Sequence, residues 1–234
     1  MKLKLYIFGS MLYTVTFIST SCKKDGELKG AETRNFTQSG FTGVDASNKM
    51  DVIIKEGPTA MSISGDGRDL NELTVEQSGN ILVLKYKKNR DDRQPMKVNI
   101  TLPNLSLIRL SGETTIIVDG RDTTESLVVE MSGNSHADFL DTLQNFEYKL
   151  SGNSDIKIKG KARTLRGEQS GNTIFAGYDF LVNNATISAS GNAKAFLNVS
   201  STLKFDASGN VEGRYKGNPT VEKTLSGNAK LEKQ

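Results

Sequence analysis

The chain has no tryptophan, one cysteine, one histidine and only 4 prolines in 234 residues. Each shortage excludes something. A lone cysteine has no partner for a disulfide within the chain, so this is not a disulfide scaffold. A lone histidine, His136, is too few for ordinary zinc ligation. No Ser/His/Asp set, phosphate-cradling glycine loop or dinucleotide fingerprint occurs, and no cofactor is expected. Calcium needs clustered acidic oxygens. Asp66 and Asp69 in SGDGRD, and the pair Asp91 and Asp92, are the densest acids, and they read as solvated turns. Charge of one sign is lacking too: 30 Lys and Arg face 27 Asp and Glu, and setting aside Lys2 and Lys4 of the leader leaves 28 against 27. Such a balance gives no electrostatic footprint for nucleic acid. Helical periodicity of convincing length is missing beyond the leader.

What the chain does have is glycine, 22 in all, and a repeat. Ser-Gly-Asn or a near match begins at Ser111, Ser132, Ser151, Ser170, Ser190, Ser208 and Ser226, at intervals of 18 to 21 residues. A fixed period of this kind marks a repeat architecture. Aligned on the serine, the positions one, three and five before it, and three, five and seven after it, are mostly apolar or small. That alternation is the period of half-buried strands flanking a corner. A unit of about 19 residues cannot bury its own apolar side, whereas parallel stacking of such units does so with coils about 4.8 Å apart. The reading is therefore an all-β parallel β-solenoid of about seven coils over residues 106–234, preceded by a strand-rich region over 36–105 that is expected to be continuous with it. The corner glycines Gly133, Gly152, Gly171, Gly191 and Gly209 are expected at positive φ. Their neighbours Asn134, Asn153, Asn172, Asn192 and Asn210 are expected to form an amide ladder between coils. Lys223 and Lys233 break the core pattern in the last unit, as a terminal coil should. Ser78-Gly79-Asn80 lies out of phase and reads as a hairpin turn between LTVEQ and ILVLKY.

Residues 1–22 have a short basic start, an apolar run from about Leu5 to Ile18 that is short for a membrane span, and small residues before Cys22. This is the layout of a secretory signal, and with cysteine at the cleavage point it resembles a bacterial lipoprotein signal. The resemblance implies that Cys22 is acylated and anchors the chain in a membrane. Residues 23–35 then read as a charged, flexible tether. Its start, Lys23-Lys24-Asp25-Gly26-Glu27, resembles the signal that sends some lipoproteins to the outer surface.

The segments FTGVDASNKMDVIIKEG, VNITLPNLSLIRLSG and the Ser-Gly-Asn coils together resemble the bacterial family described as putative auto-transporter adhesin, head GIN domain. This resemblance spans roughly residue 36 to the C-terminus. It implies a right-handed parallel β-helix and secretion or surface attachment in Bacteroidota, and it brings no catalytic residues with it. The expected location is the outer membrane, facing the surface or the periplasm.

Parallel β-helices also host glycan-degrading enzymes, which need paired carboxylates on adjacent coils. Asp119 and Asp141 could be neighbours, but the next coil offers Lys159 and Gly160 there, and the acids read as solvated loop residues. On the outward positions most coils are polar, but Ile174, Tyr178 and Phe196 form a candidate binding patch. A one-residue slip would turn these side chains inward. The expected function is a non-catalytic binding or adhesion module for a glycan or an envelope or host protein. The alternatives are a structural component of the envelope and a glycan-acting enzyme.

Overall fold

The computed structural model describes residues 30–88, 90, 92–121 and 126–234. The leader, Cys22 and the first part of the tether lie outside the described residues. The described residues form seventeen strands and one short helix. The first seven strands are β1 (Ala31–Phe36), β2 (Gly43–Ser47), β3 (Met50–Glu56), β4 (Ala60–Asp66), β5 (Leu73–Ser78), β6 (Ile81–Tyr86) and β7 (Met96–Leu102), with α1 (Gly67–Glu72) between β4 and β5. β8 (Leu107–Ser111) and β9 (Thr114–Arg121) flank the first corner, and β10 (Ser126–Met131) leads to the second. Four long strands follow, each running from one corner toward the next: β11 (His136–Leu150), β12 (Asp155–Gln169), β13 (Asn172–Ala189) and β14 (Asn192–Ala207). The last are β15 (Glu212–Lys216), β16 (Thr220–Leu225) and β17 (Lys230–Lys233).

From β8 onward every pairing is parallel and joins residues one repeat apart, such as Phe146 with Leu165 and Ile187 with Phe205. Seven corners enclose about six complete turns, so the expected count of about seven is corrected to about six. The alternation is realised side chain by side chain. Ile108, Val129, Tyr148, Ile187 and Phe205 lie in one buried row, and Ile116, Ala137, Ile156, Phe175 and Ala195 in another. Burying each large apolar side chain contributes roughly 1.5–3 kcal/mol, so stacked rows of this kind supply the stability that no single coil could.

The corners follow from two local constraints. Gly152 has φ +68°, and a Cβ there would lie 2.9 Å from the amide nitrogen and carbonyl oxygen of Gly133 on the coil before. Only glycine meets both the left-handed backbone and the close approach. The backbone is satisfied across coils, for example Asn153 N–H to the Gly133 carbonyl at 2.7 Å and Asn172 N–H to that of Gly152 at 2.8 Å. The amide ladder is present as well: Asn153 donates to Asn134 (3.0 Å), Asn172 to Asn153 (3.3 Å), Asn192 to Asn172 (2.9 Å) and Asn210 to Asn192 (2.8 Å). Three residues past the corner serine, buried hydroxyls turn back on the corner. Thr114, Ser135 and Ser154 donate to the carbonyls of Ser111, Ser132 and Ser151 at 2.8, 2.7 and 2.5 Å. These small polar residues therefore sit in the core without an unmet hydrogen bond.

Apparent breaks in the core pattern form one compensated unit. Gly167 makes room for the Tyr148 ring, since a Cβ there would lie 2.3 Å from it. That ring stacks on Phe175 with centroids 4.4 Å apart. Its buried hydroxyl donates to Gln169 Oε1 at 3.3 Å, and Gln169 Nε2 donates to Thr173 Oγ1 at 3.2 Å and to the Lys194 carbonyl at 3.1 Å. Gln169 thus replaces an apolar residue because Tyr148 brings a hydroxyl into the core.

The N-terminal strands extend the stack by an indirect route. β2 and β3 pair in parallel with β8 and β9 and also with β6 and β7, so this coil lies between them. Its corner is Ser47-Asn48-Lys49, with φ +60° and +49° at the last two residues. β5 and β6 form the expected antiparallel hairpin around Ser78-Gly79-Asn80. β4 adds antiparallel to β7, and β1 to β4. Residues 31–35, read as the end of a tether, are therefore part of strand β1. At the opposite end Lys223 and Lys233 occupy core positions in exposed form. Inward-directed charge there discourages edge-to-edge pairing with another chain.

Candidate binding faces

Because alternate side chains point outward, each face of the solenoid carries straight rows of residues one coil apart. The three residues expected to form a patch lie on the face after the corner. Ile174 is 40% exposed, and Tyr178 and Phe196 are half-buried, so a slip does not turn them into the core. The one extra residue in this repeat is absorbed by a register shift: Lys157 pairs with Ala176, but Lys159 pairs with Asp179. Such a bulge re-aims a side chain. It sets Tyr178 across the Phe196 ring of the next coil, with centroids 5.2 Å apart, and Lys216 Nζ lies 4.6 Å from the Tyr178 centroid. Leu181, 47% exposed, extends the apolar surface on the same coil. Nothing in the sequence singles it out, because its orientation depends on the bulge.

On the face before the corner a cleft of about 750 Å³ runs beside the serine row. Its charged lining alternates in sign from coil to coil, as Asp45, Arg109, Glu130, Lys149 and Glu168. Arg109 donates to Glu130 at 2.8 Å. Partial burial raises the carboxyl pKa of Asp45 above its ordinary value, against the opposing pull of Arg109. With Arg166, which lines the same cleft, three acids meet three bases, and the cleft favours neither sign of ligand.

A second recess, about 570 Å³, lies near the Asn48 corner and is lined in part by Tyr86, Arg90 and Arg93. Its cations are already committed. Arg93 bonds Asp69 at 2.9 Å and Glu72 at 2.6 Å, Arg90 bonds both acids, and the Arg93 guanidinium lies 3.9 Å from the Tyr86 ring centroid. Burial, then the nearby Asp69 carboxylate, push the Tyr86 phenol up to about 12. Asp69 is therefore no solvated turn residue: it is 2% exposed and ties α1 to the loop after β6. Asp66 does serve its turn, accepting from Arg68 N–H at 2.8 Å at the start of α1. Asp91 lies outside the described residues.

The acids weighed for catalysis do not form a pair. Asp119 is exposed, but Asp141 is 2% exposed and accepts from Thr142 N–H at 2.9 Å, so the reading of two solvated acids is corrected for Asp141. His136 lies between two carboxylates, Asp155 at 2.5 Å and Asp138 at 3.3 Å. Burial of the imidazole opposes its protonation, but Asp155 and Asp138 outweigh it and hold the pKa above the ordinary value. No group of three or more His, Cys, Asp or Glu side chains suited to a metal occurs among the described residues. No described helix is long and apolar enough to cross a membrane.

The sequence matches the model of the family described as "Putative auto-transporter adhesin, head GIN domain" over residues 40–219. The chain belongs to this family. Solved structures share the fold of this head GIN domain protein. A putative adhesin from Bacteroides fragilis NCTC 9343 aligns over 88% of this chain and 98% of its own, with 22% identity and a TM-score of 0.76. A structure from Parabacteroides distasonis ATCC 8503, described as a putative lipid binding protein, aligns over 88% and 97% with 15% identity and a TM-score of 0.70. A putative adhesin from Parabacteroides merdae ATCC 43184 aligns over 88% and 96% with 15% identity and a TM-score of 0.67. No curated protein matches the sequence. At these identities the structural likeness establishes the fold, and the family supports an adhesin-like, exported cell-envelope protein.

Proposed function

We propose that this protein is an outer-membrane lipoprotein, anchored through an acylated Cys22, that presents its β-solenoid as a non-catalytic binding or adhesion module. The carrying observation is the outward apolar surface on β13 and β14, where Ile174 and Leu181 are exposed beside the tilted ring pair of Tyr178 and Phe196. Large apolar side chains held on a rigid outer face mark an interaction site, and the family's adhesin description supports that role. The partner is a glycan or a protein of the envelope or of a host.

The test joins location to binding. Intact cells carrying the wild type or Cys22→Ala are treated with protease, and the membrane fraction is assayed for the chain. A wild type that is membrane-bound and shaved, with a released Cys22→Ala variant, supports a surface module. A membrane-bound but protected wild type refutes surface display. In parallel, the Tyr178→Ala/Phe196→Ala variant should keep its melting temperature yet bind envelope fractions about tenfold more weakly, the effect of losing an aromatic anchor. Undiminished binding would refute the patch.

A further inference from the structure

Four successive outward side chains of β12 are basic. The alternation that buries Ile156, Ile158 and Ala162 leaves Lys157, Lys159, Lys161 and Arg163 exposed, in a file no longer than about 20 Å at strand rise. None of the four makes an ion pair or side-chain hydrogen bond among the described residues. Elsewhere on the solenoid several outward cations meet a countercharge on the next coil, as Arg109 does with Glu130, Lys194 with Glu212 and Lys204 with Glu222. The acids nearest the file are engaged or out of range. His136 holds Asp155 and Asp138, Asp141 is buried, and Asp179, the Cα partner of Lys159, forms no ion pair with it.

Like charges lined up two residues apart repel and gather small anions, which a polyanion displaces with a gain in entropy. The shape of the charge narrows the choice of polyanion. The coil on one side sets Asp138, Leu140 and Thr142 beside Lys157, Lys159 and Lys161, and the coil on the other sets Ala176, Asp179 and Leu181 there. The positive charge is therefore a single file, whereas an anionic bilayer engages a two-dimensional patch. Along its margins lie Leu140, 49% exposed, Leu181, 47% exposed, and then the Tyr178–Phe196 pair. Sugar rings present C–H faces that pack on such surfaces while their acidic groups meet the cations. We propose that the β12 file binds a linear acidic polysaccharide, a sugar chain carrying carboxylate or sulfate groups. This inference rests on the binding-module reading and names its ligand class.

The experiment measures binding of the full mature chain to polygalacturonate and heparin as acidic chains, with dextran as a neutral one. Phosphatidylglycerol vesicles, an oligothymidylate and envelope fractions are the comparison probes. One variant replaces Lys157, Lys159, Lys161 and Arg163 by Gln; a second replaces the exposed Lys55, Lys97, Lys204 and Lys230 by Gln, with the same change in charge. The expected result is binding to at least one acidic glycan and not to dextran. It should weaken at least tenfold in the β12 variant and less than twofold in the control, with both melting like the wild type. The fall of log K with log salt should be shallower by about 3 in the β12 variant, because four cations no longer meet the polyanion. Equal losses in both variants would overturn the proposal, as would binding to the vesicles or the oligonucleotide in place of the acidic glycans. Binding to envelope fractions without binding to either acidic glycan overturns the ligand class alone. Binding to neither overturns the module reading as well.

Discussion

Replacing Gly152 by alanine tests whether the corners hold the solenoid by close backbone stacking or merely by their turn. The residue has φ +68°, and an L-residue in that conformation costs about 1–2 kcal/mol. The new methyl would also lie 2.9 Å from two backbone atoms of Gly133, which no rotamer change can move aside. Relief requires the coils to separate locally, which strains the 2.7 Å hydrogen bond from Asn153 N–H to the Gly133 carbonyl, a bond worth about 1 kcal/mol net. Alanine returns about 0.4–1 kcal/mol by restricting the unfolded chain. The expected net destabilisation is about 2 kcal/mol. Gly79→Ala is the matched control: its φ is +60°, but nothing lies within 4 Å of the added Cβ. It should cost about 1 kcal/mol, from the backbone alone. Urea unfolding followed by far-UV circular dichroism measures both, the slopes showing whether the transitions are comparable. If Gly152→Ala is no more destabilising than Gly79→Ala, the stacking argument is wrong.

Three further outcomes follow from the core and its surface. Gln169→Leu restores an apolar residue at a buried position, but it strands the Tyr148 hydroxyl; a loss of about 1–3 kcal/mol in the same urea assay is expected, and pairing it with Tyr148→Phe should recover most of it. Unchanged stability in the single variant would show that the hydroxyl finds another partner. The His136 imidazole, followed by NMR titration, should have a midpoint above the ordinary value of 6.5, and Asp155→Asn should lower it. Because the folded pKa is raised, the associated stability is fully present below pH 6.5 and fades as pH rises through the folded midpoint; stability that instead grew over this range would reverse the assignment. Asp69→Asn should weaken the fold by about 3 kcal/mol or more, as loss of one partner leaves the Arg93 guanidinium buried with reduced compensation, and a loss under about 1 kcal/mol would mean that Glu72 suffices.

Much of the fold was legible because its period is short. A corner every 18 to 21 residues brings chemically equal positions into register, so alternation around each serine identifies the buried rows without any long-range information. The same logic placed Ile174, Tyr178 and Phe196 on the outer face. It did not reveal that β2 and β3 insert between the β6–β7 and β8–β9 levels, because Asn48 and Lys49 adopt positive φ without a glycine to mark the corner. Nor did it reveal β1, whose polar AETRNF segment pairs by its backbone with β4, roughly 30 residues away.

The candidate site divides in the same way. That β12 turns Lys157, Lys159, Lys161 and Arg163 outward is contained in the sequence, since alternation alone assigns their face. Whether those cations are paired is decided by the neighbouring coils, which place Asp138 against His136 and bury Asp141. The bulge that brings Tyr178 beside Phe196 likewise arises from a mismatch of one residue between coils that only stacking exposes. The sequence determined the repeat, the strand faces and the corners, because these depend on local geometry with a fixed period. Tertiary structure decided the order of the coils, the charge partners and the shape of the outer face, because those depend on which segment lies one strand spacing away, about 4.8 Å, and not on which comes next in the chain.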